Sequence, residues 1–188
     1  FIYGRNMRDS MANASTTKLL TCIVALEKAD INDTVTISQN AASQPEVKLG
    51  LVAGNSYNMK DLLYGMMLES FNDCAYAIAE HVGGSTEGFA KLMNEKCQEL
   101  GLKYTHFTNP TGLYDEEQYT TPSEMAMIME YAMKDETRAK VLGTYQYKTK
   151  ATAQHPEGIQ LTSTMYSRIY GNEAPGVLVT GGKTGYTN

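Results

Sequence analysis

No part of this 188-residue chain approaches the roughly 18 consecutive apolar residues that a bilayer crossing requires. The apolar runs are short, such as Leu19-Leu20 and Cys22 to Leu26. Runs of basic residues are equally lacking: Lys and Arg are scattered, the formal charge is −5 and the pI about 5.2. That balance argues against a nucleic-acid partner, which needs a basic face to neutralise phosphates. Cysteine is scarce, and Cys22, Cys74 and Cys97 show neither C-x-x-C spacing nor a histidine at a metal-like interval. An odd number cannot pair completely within one chain, so the three read as small buried hydrophobes. His81, His106 and His155 lie far apart and form no H-x-x-x-H pair, which leaves a zinc hydrolase unsupported. The start at Phe1 shows no basic and then apolar leader pattern, an absence that decides nothing about compartment. Internal repeats, low-complexity tracts and Pro/Gly/Ser linkers are also missing, so the chain reads as one unit.

What is present is an ordinary globular composition, 42% hydrophobic and 20% charged, long enough for one sizeable core. Apolar spacing predicts a helix from Thr16 to Ala29, with Leu19, Leu20, Ile23, Val24 and Leu26 as its stripe. A short strand is expected within Asp33 to Ser38, and Leu51-Val52 reads as a strand end before a turn. Asn58 is placed to cap a helix running from Met59 to Glu69, with Asp61 favouring its dipole. Ser70-Phe71-Asn72-Asp73 interrupts that helix. Another then carries Ala75, Ile78, Ala79 and Val82 to the stop at Gly83-Gly84. Ser85 or Thr86 starts a fourth, and Thr121-Pro122-Ser123-Glu124 has the form of a capping box. Beyond Gly143 the pattern turns to strands: Tyr145 to Thr149, part of Ile159 to Met165, and the apolar run Val177-Leu178-Val179. Helices in the middle with strands at the ends predict an α+β fold: an antiparallel sheet flanked by a mostly helical lobe.

Three short segments can carry chemistry. In Ser15-Thr16-Thr17-Lys18 the serine and lysine are i and i+3, so a helix puts them on one face. A serine hydroxyl needs a neighbouring base, and a lysine can serve when burial and nearby cations lower its pKa. Read alone, the segment is more readily a helix cap followed by a surface lysine, since S-x-x-K is common by chance. In Ser70-Phe71-Asn72, alternate residues of a loop can turn a hydroxyl and an amide toward one cleft, although a plain helix–helix turn looks the same. In Gly181-Gly182-Lys183-Thr184-Gly185, small residues let a substrate backbone approach, while the ammonium and the Thr184 hydroxyl suit a carboxylate. A phosphate loop is excluded, because its first glycine would fall on Val177. The order and spacing of S-x-x-K, S-x-N and K-T-G say more than any of them singly.

Taken together, these segments make the chain resemble the low-molecular-mass penicillin-binding D-Ala-D-Ala carboxypeptidases, peptidase family S11. The likeness runs through Tyr3-Gly4-Arg5-Asn6-Met7, Asn13-Ala14-Ser15-Thr16-Thr17-Lys18 (where the family usually has Pro for Asn13), Glu69-Ser70-Phe71-Asn72-Asp73 and Glu80-His81-Val82-Gly83-Gly84. It continues through Phe107 to Leu113, Tyr119 to Glu124, and Gly182-Lys183-Thr184-Gly185-Tyr186-Thr187. The resemblance implies a β-lactamase/transpeptidase-like fold, with Ser15 as nucleophile and Lys18 as its base. Ser70 and Asn72 would relay a proton and hold the substrate amide. Lys183 and Thr184, with Gly185 and Tyr186 beside them, would bind the terminal carboxylate of a peptidoglycan stem peptide ending in D-Ala-D-Ala, or of a β-lactam inhibitor. The N–H groups of Ser15 and Tyr186 would form the oxyanion hole. No metal or organic cofactor enters the scheme, and the substrate implies an extracytoplasmic location, with any membrane anchor outside this chain.

Rival readings share the motifs. A class A β-lactamase calls for a loop glutamate in Glu-x-x-Leu-Asn, whereas Glu116 and Glu117 are followed by Gln and Tyr. A D-Ala endopeptidase would use the same acyl chemistry, and a non-catalytic peptidoglycan-binding or β-lactam-sensing domain would not require all of the polar residues. Phe71 stands where the family usually has a small residue, and its ring is expected to point into the helical lobe rather than narrow the cleft. The family continues past the third motif with further strands. Residues 1–188 are therefore expected to be a single catalytic domain truncated at both ends, a fragment or one partner of a paired assembly whose missing segment or second chain completes the sheet.

Overall fold

The computed structural model describes residues 4–172 and 174–186, so Tyr3 and Thr187 of the quoted motifs lie outside the described residues. Helix α1, Lys18–Lys28, is the axis of the molecule. The apolar spacing predicts a stripe, but every residue from Lys18 to Ala25 is buried, so the first two turns are enclosed on all sides. Four helices surround it: α4 (Asn72–Gly83), α5 (Thr86–Glu99), α6 (Pro122–Met133) and α7 (Glu136–Leu142), the last not anticipated from the sequence. Glu27 near the end of α1 binds Lys96 of α5 at 2.7 Å and Arg138 of α7 at 2.8 Å, and accepts from Tyr131 of α6 at 2.8 Å. One carboxylate thus ties four helices, and these bonds hold it below its usual pKa against the opposing pull of burial.

The first strand β1 (Thr34–Thr36) and the short helix α2 (Gln39–Ala42) follow α1. The pairing partner of β1 is β2 (Ser56–Asn58), with Val35 opposite Tyr57. Leu51-Val52, expected as a strand end, is irregular, and the Leu51 N–H is claimed by a buried side chain described below. Asn58 caps α3 (Met59–Tyr64) as expected, its carbonyl oxygen accepting from Lys60 N–H. Asp61 does more than favour the helix dipole. It is buried and accepts from the Tyr147 hydroxyl at 2.7 Å and from Lys150 N–H at 3.2 Å. The helix then widens into a π-helical turn, Gly65–Glu69, before breaking at Ser70-Phe71. Thr121 caps α6, but Glu124 does not complete a capping box. Its carboxylate instead takes the N–H groups of Lys103 and Tyr104 and the Thr105 hydroxyl.

The strand-rich end forms a second antiparallel pair, β3 (Gln146–Lys148) with β4 (Gln160–Thr162), followed by the short α8 (Tyr166–Ile169). Helices with small antiparallel ladders make the fold α+β, as expected. Val177 to Thr180, expected as a strand, runs without strand pairing among the described residues, and Val177 and Leu178 are exposed. Its anchors are the Tyr166 hydroxyl on the Val179 carbonyl and Gly182 N–H on the Leu142 carbonyl. All three cysteines are buried and unpaired, as the sequence suggests.

Asp73 is completely buried at the start of α4. Its carboxylate accepts the N–H groups of Leu49 (2.9 Å), Gly50 (2.8 Å) and Leu51 (3.0 Å), along with that of Cys74. A buried N–H that loses its acceptor keeps its full desolvation cost. Asp73→Ala should therefore lower unfolding free energy by about 3 kcal/mol or more, measured by urea denaturation. Hydrogen exchange at residues 49–51 should accelerate ahead of global unfolding.

Candidate active site

A cleft of about 310 Å³ opens where α1, the break before α4 and the segment 183–186 meet. It is lined by Ser15, Ser70, Asn72, Thr184, Gly185 and Tyr186 among others, so the structure brings the three sequence segments to one place. Phe71 is not among the lining residues. Its ring faces the helical lobe, where a Cβ at Gly65 would come within 3.2 Å of it.

Ser15 sits in a 3-10 turn, Ala14–Thr17, leading into α1. Ala14 has a left-handed φ of 46°, and the chain can make this turn because Gly112 lies against it. A Cβ on Gly112 would fall 1.7 Å from the Ala14 carbonyl oxygen, so only glycine fits there. Gly185 closes the other side: a Cβ there would lie 3.0 Å from the Thr16 methyl group.

The amine of Lys18 is fully buried and has three oxygen neighbours: Ser15 Oγ at 3.1 Å, Asn72 Oδ1 at 2.9 Å and the Thr111 carbonyl at 2.8 Å. Desolvation by burial pulls its pKa down to about 7, and the positive charge of Lys183 pushes the same way. Two of the three neighbours, Asn72 Oδ1 and the Thr111 carbonyl, can only accept. When Lys18 loses a proton, its two remaining N–H bonds stay with those carbonyls and its lone pair is left toward the Ser15 hydroxyl. The Thr111 carbonyl was not singled out from the sequence, since a backbone oxygen has no side-chain signature. Asn109 presents it by accepting from Thr111 N–H, the Thr111 hydroxyl and Gly112 N–H.

Asn72 is committed at both ends of its amide. Besides accepting from Lys18, it donates to the carbonyls of Pro45 (3.3 Å) and Glu46 (3.2 Å), while its N–H bonds the Val47 carbonyl at 2.7 Å. Ser70 adopts a left-handed backbone, φ 69°, unusual for a residue with a side chain and costing roughly 1–3 kcal/mol. Its hydroxyl accepts from Lys183 Nζ at 3.0 Å, and Lys183 also donates to the Thr184 carbonyl at 2.8 Å. Burial brings the Lys183 pKa down to about 8. The Thr184 hydroxyl lies 2.9 Å from that of Thr164. Thr164, Glu46, Val47 and Arg168 also line the cleft and escaped the sequence reading, because they come from segments with no recognisable spacing. Glu116 and Glu117, considered as β-lactamase-type bases, do not line it.

The whole chain, residues 1–188, matches the family model described as D-alanyl-D-alanine carboxypeptidase, peptidase S11. It is 36% identical to D-alanyl-D-alanine carboxypeptidase DacF of Bacillus subtilis over 99% of this chain and 47% of that protein. With D-alanyl-D-alanine carboxypeptidase DacB2 of Mycobacterium tuberculosis it shares 34% identity over 98% of this chain and 61% of the relative. The chain therefore spans about half to three-fifths of the length of these relatives. A crystal structure of D-alanyl-D-alanine carboxypeptidase from Mycobacterium tuberculosis H37Rv superposes with a TM-score of 0.87 at 29% identity, covering 99% of this chain and 68% of that one.

The charge coupling between the two lysines can be tested without any substrate. In a 13C-lysine NMR titration, Lys18 should lose its proton near pH 7. Replacing Lys183 by Met removes a neighbouring cation that disfavours protonation, so the Lys18 midpoint should move to higher pH. An unmoved midpoint would leave burial as the sole cause.

Proposed function

The chain belongs to the D-alanyl-D-alanine carboxypeptidase family, and from that premise we propose that it is the catalytic domain of a serine carboxypeptidase. Its substrate is the peptidoglycan stem peptide, from which it removes the terminal D-alanine. The observation that carries this reading is the orientation of Lys18: a buried amine titrating near neutrality, held by two carbonyls, with its remaining position on Ser15.

Neutral Lys18 takes the Ser15 proton as Oγ attacks the carbonyl carbon of the penultimate D-alanine. Negative charge develops on the carbonyl oxygen and is met by the N–H groups of Ser15 and Tyr186, which serve as the oxyanion hole. The Lys183 ammonium and the Thr184 hydroxyl bind the terminal carboxylate. The proton taken up by Lys18 is returned to the departing amine through Ser70, which gives its own hydroxyl proton as it receives that one, so that Lys18 is neutral again; Asn72 keeps Lys18 in place. The C–N bond breaks, D-alanine leaves, and water then hydrolyses the Ser15 ester to release the shortened peptide. A β-lactam follows the same first step, its amide bond taking the place of the peptide bond, so β-lactams act as inhibitors.

The substrate puts the protein outside the cytoplasmic membrane, in the secreted space or attached to the membrane's outer face. Among the described residues no helix is long and apolar enough to cross a bilayer. In this reading residues 1–188 act as one catalytic unit, and Val177 to Thr180, which has no strand partner among the described residues, is an edge that a further segment or second chain would complete.

The deciding experiment is to incubate the full-length protein with a β-lactam and determine its mass. One adduct should appear, mapping to the Ser15 peptide, and Ser15→Ala should abolish it. An adduct that persists in Ser15→Ala would defeat the assignment. Lys18→Met should slow acylation by about 10²–10⁴-fold, the usual worth of a general base, with the fold retained by circular dichroism. D-alanine release from a D-Ala-D-Ala peptide, absent in Ser15→Ala, distinguishes the enzyme from a β-lactam-binding domain without turnover.

A further inference from the structure

Residues 108–113 form no regular element, yet they set two groups against the catalytic pair. The Thr111 carbonyl accepts from Lys18 Nζ at 2.8 Å, and Gly112 backs the turn that carries Ser15. Two side-chain amides in series hold this loop. Asn109 is the inner one: its Oδ1 takes Thr111 N–H (3.2 Å), the Thr111 hydroxyl (2.9 Å) and Gly112 N–H (2.9 Å), while its Nδ2 donates to the Leu113 carbonyl (3.0 Å). Gln118 is the outer one. Its Oε1 accepts the N–H groups of Thr108 and Asn109, both at 3.0 Å, and its Nε2 donates to the Leu113 carbonyl at 3.4 Å.

Gln118 is buried but does not line the catalytic cleft, and it belongs to none of the three motifs. Its own position is firm, because the next two residues are paired. Tyr119 exchanges both backbone bonds with His106, and Thr120 does the same with Met11. On the other side the loop is fastened to α1, where the Thr21 hydroxyl donates to the Pro110 carbonyl at 2.7 Å. The path from Gln118 to the base is short: Oε1 to Asn109 N–H, Asn109 Oδ1 to Thr111 N–H, and the Thr111 carbonyl to Lys18. There is no slack at its end. Gly112 packs so closely on the Ala14 carbonyl that a Cβ would fall 1.7 Å from the oxygen, so a displaced loop presses on the turn of Ser15.

From this chain of contacts we infer that Gln118 is a positioning residue for the general base: it sets the Thr111 carbonyl on the Lys18 amine and Gly112 behind Ser15 without touching substrate. The inference rests on the reading of Lys18 as the base for Ser15. With the loop out of register the amine loses its backbone acceptor and is free to turn away from the Ser15 hydroxyl, which is how a residue outside the cleft reaches the chemistry.

The test uses Gln118→Met in the full-length protein, a change that keeps the side-chain length and removes the hydrogen bonds. The Thr111 carbonyl accepts from an ammonium and so favours the charged form of Lys18. Its displacement should therefore bring the Lys18 midpoint below about 7 in the 13C-lysine titration. The other groups that bear on Lys18 are untouched: Lys183 stays on Ser70 and Thr184, and burial keeps the Cys74 thiol protonated. Acylation by a β-lactam should slow by about 10- to 100-fold, the scale of a misplacement of about 1 Å, and the acid limb of its pH profile should follow the midpoint. Gln118→Asn, an amide one methylene too short, should show the same changes in smaller size, so the test stands if Gln118→Met does not fold. Glu124→Gln, which loosens residues 103–105 instead, should lower thermal stability and leave midpoint and rate unchanged. Loss of thermal stability in the Gln118 variants with midpoint and rate unmoved overturns the inference, as do equal changes in Glu124→Gln. A wild-type acylation rate in Lys18→Met overturns the base assignment and the inference with it.

Discussion

The amine of Lys18 organises this molecule. It is enclosed at the base of a helix buried on all sides, and burial alone would make a charged ammonium there expensive. The structure meets that cost by surrounding the nitrogen with three oxygens and by bringing its pKa close to neutrality. Each neighbour comes from a different part of the chain: Ser15 from the turn before α1, Asn72 from the start of α4, and the Thr111 carbonyl from a loop between α5 and α6. Shifting any of these elements would strand a buried polar group, so the packing of the helical lobe and the geometry of the cleft are bound to one another.

The same economy governs the wall of the cleft. Residues 45–51 form no regular element, yet their backbone groups are answered by two adjacent side chains, Asn72 and Asp73, at the first turn of α4. A helix start is a well-defined place from which to project such groups, since successive residues there point in fixed and different directions. Asn72 faces both the lysine and the wall, whereas Asp73 faces the wall alone. The break at Ser70, with its left-handed backbone, lets the π-helical turn end and α4 begin in a new direction. Lys183 bonds the Ser70 hydroxyl and so links that break to the third segment.

Much of this was legible in the sequence, and the parts that were not share a reason. The helices showed through apolar spacing and caps: Asn58 and Thr121 cap as read, and of the two candidates Ser85 and Thr86 it is Ser85 that caps. The short α7 passed unnoticed, and the Glu124 carboxylate was assigned to a capping box when it serves residues 103–105. Leu51-Val52 looked like a strand because its composition is apolar. The Leu51 N–H is instead claimed by Asp73, 22 residues away, a competition that local patterning cannot register.

The sequence by itself singled out Ser15, Lys18 and Lys183 as the candidates for nucleophile, base and anion-binding group, because such chemistry is a property of residue type and the order of S-x-x-K, S-x-N and K-T-G is rarely assembled by chance. The three-residue spacing also put Ser15 and Lys18 on one face of any helical turn through them, and the structure supplies that turn as a 3-10 segment running into α1. Only the tertiary structure decided that Lys18 is buried, that its amine lies 3.1 Å from Ser15 Oγ, and that Lys183 lies close enough to lower its pKa. It alone brought the Thr111 carbonyl, Glu46 and Arg168 to the same cleft. Those features depend on desolvation and on contacts between segments tens of residues apart, and neither is written in the local order of the chain.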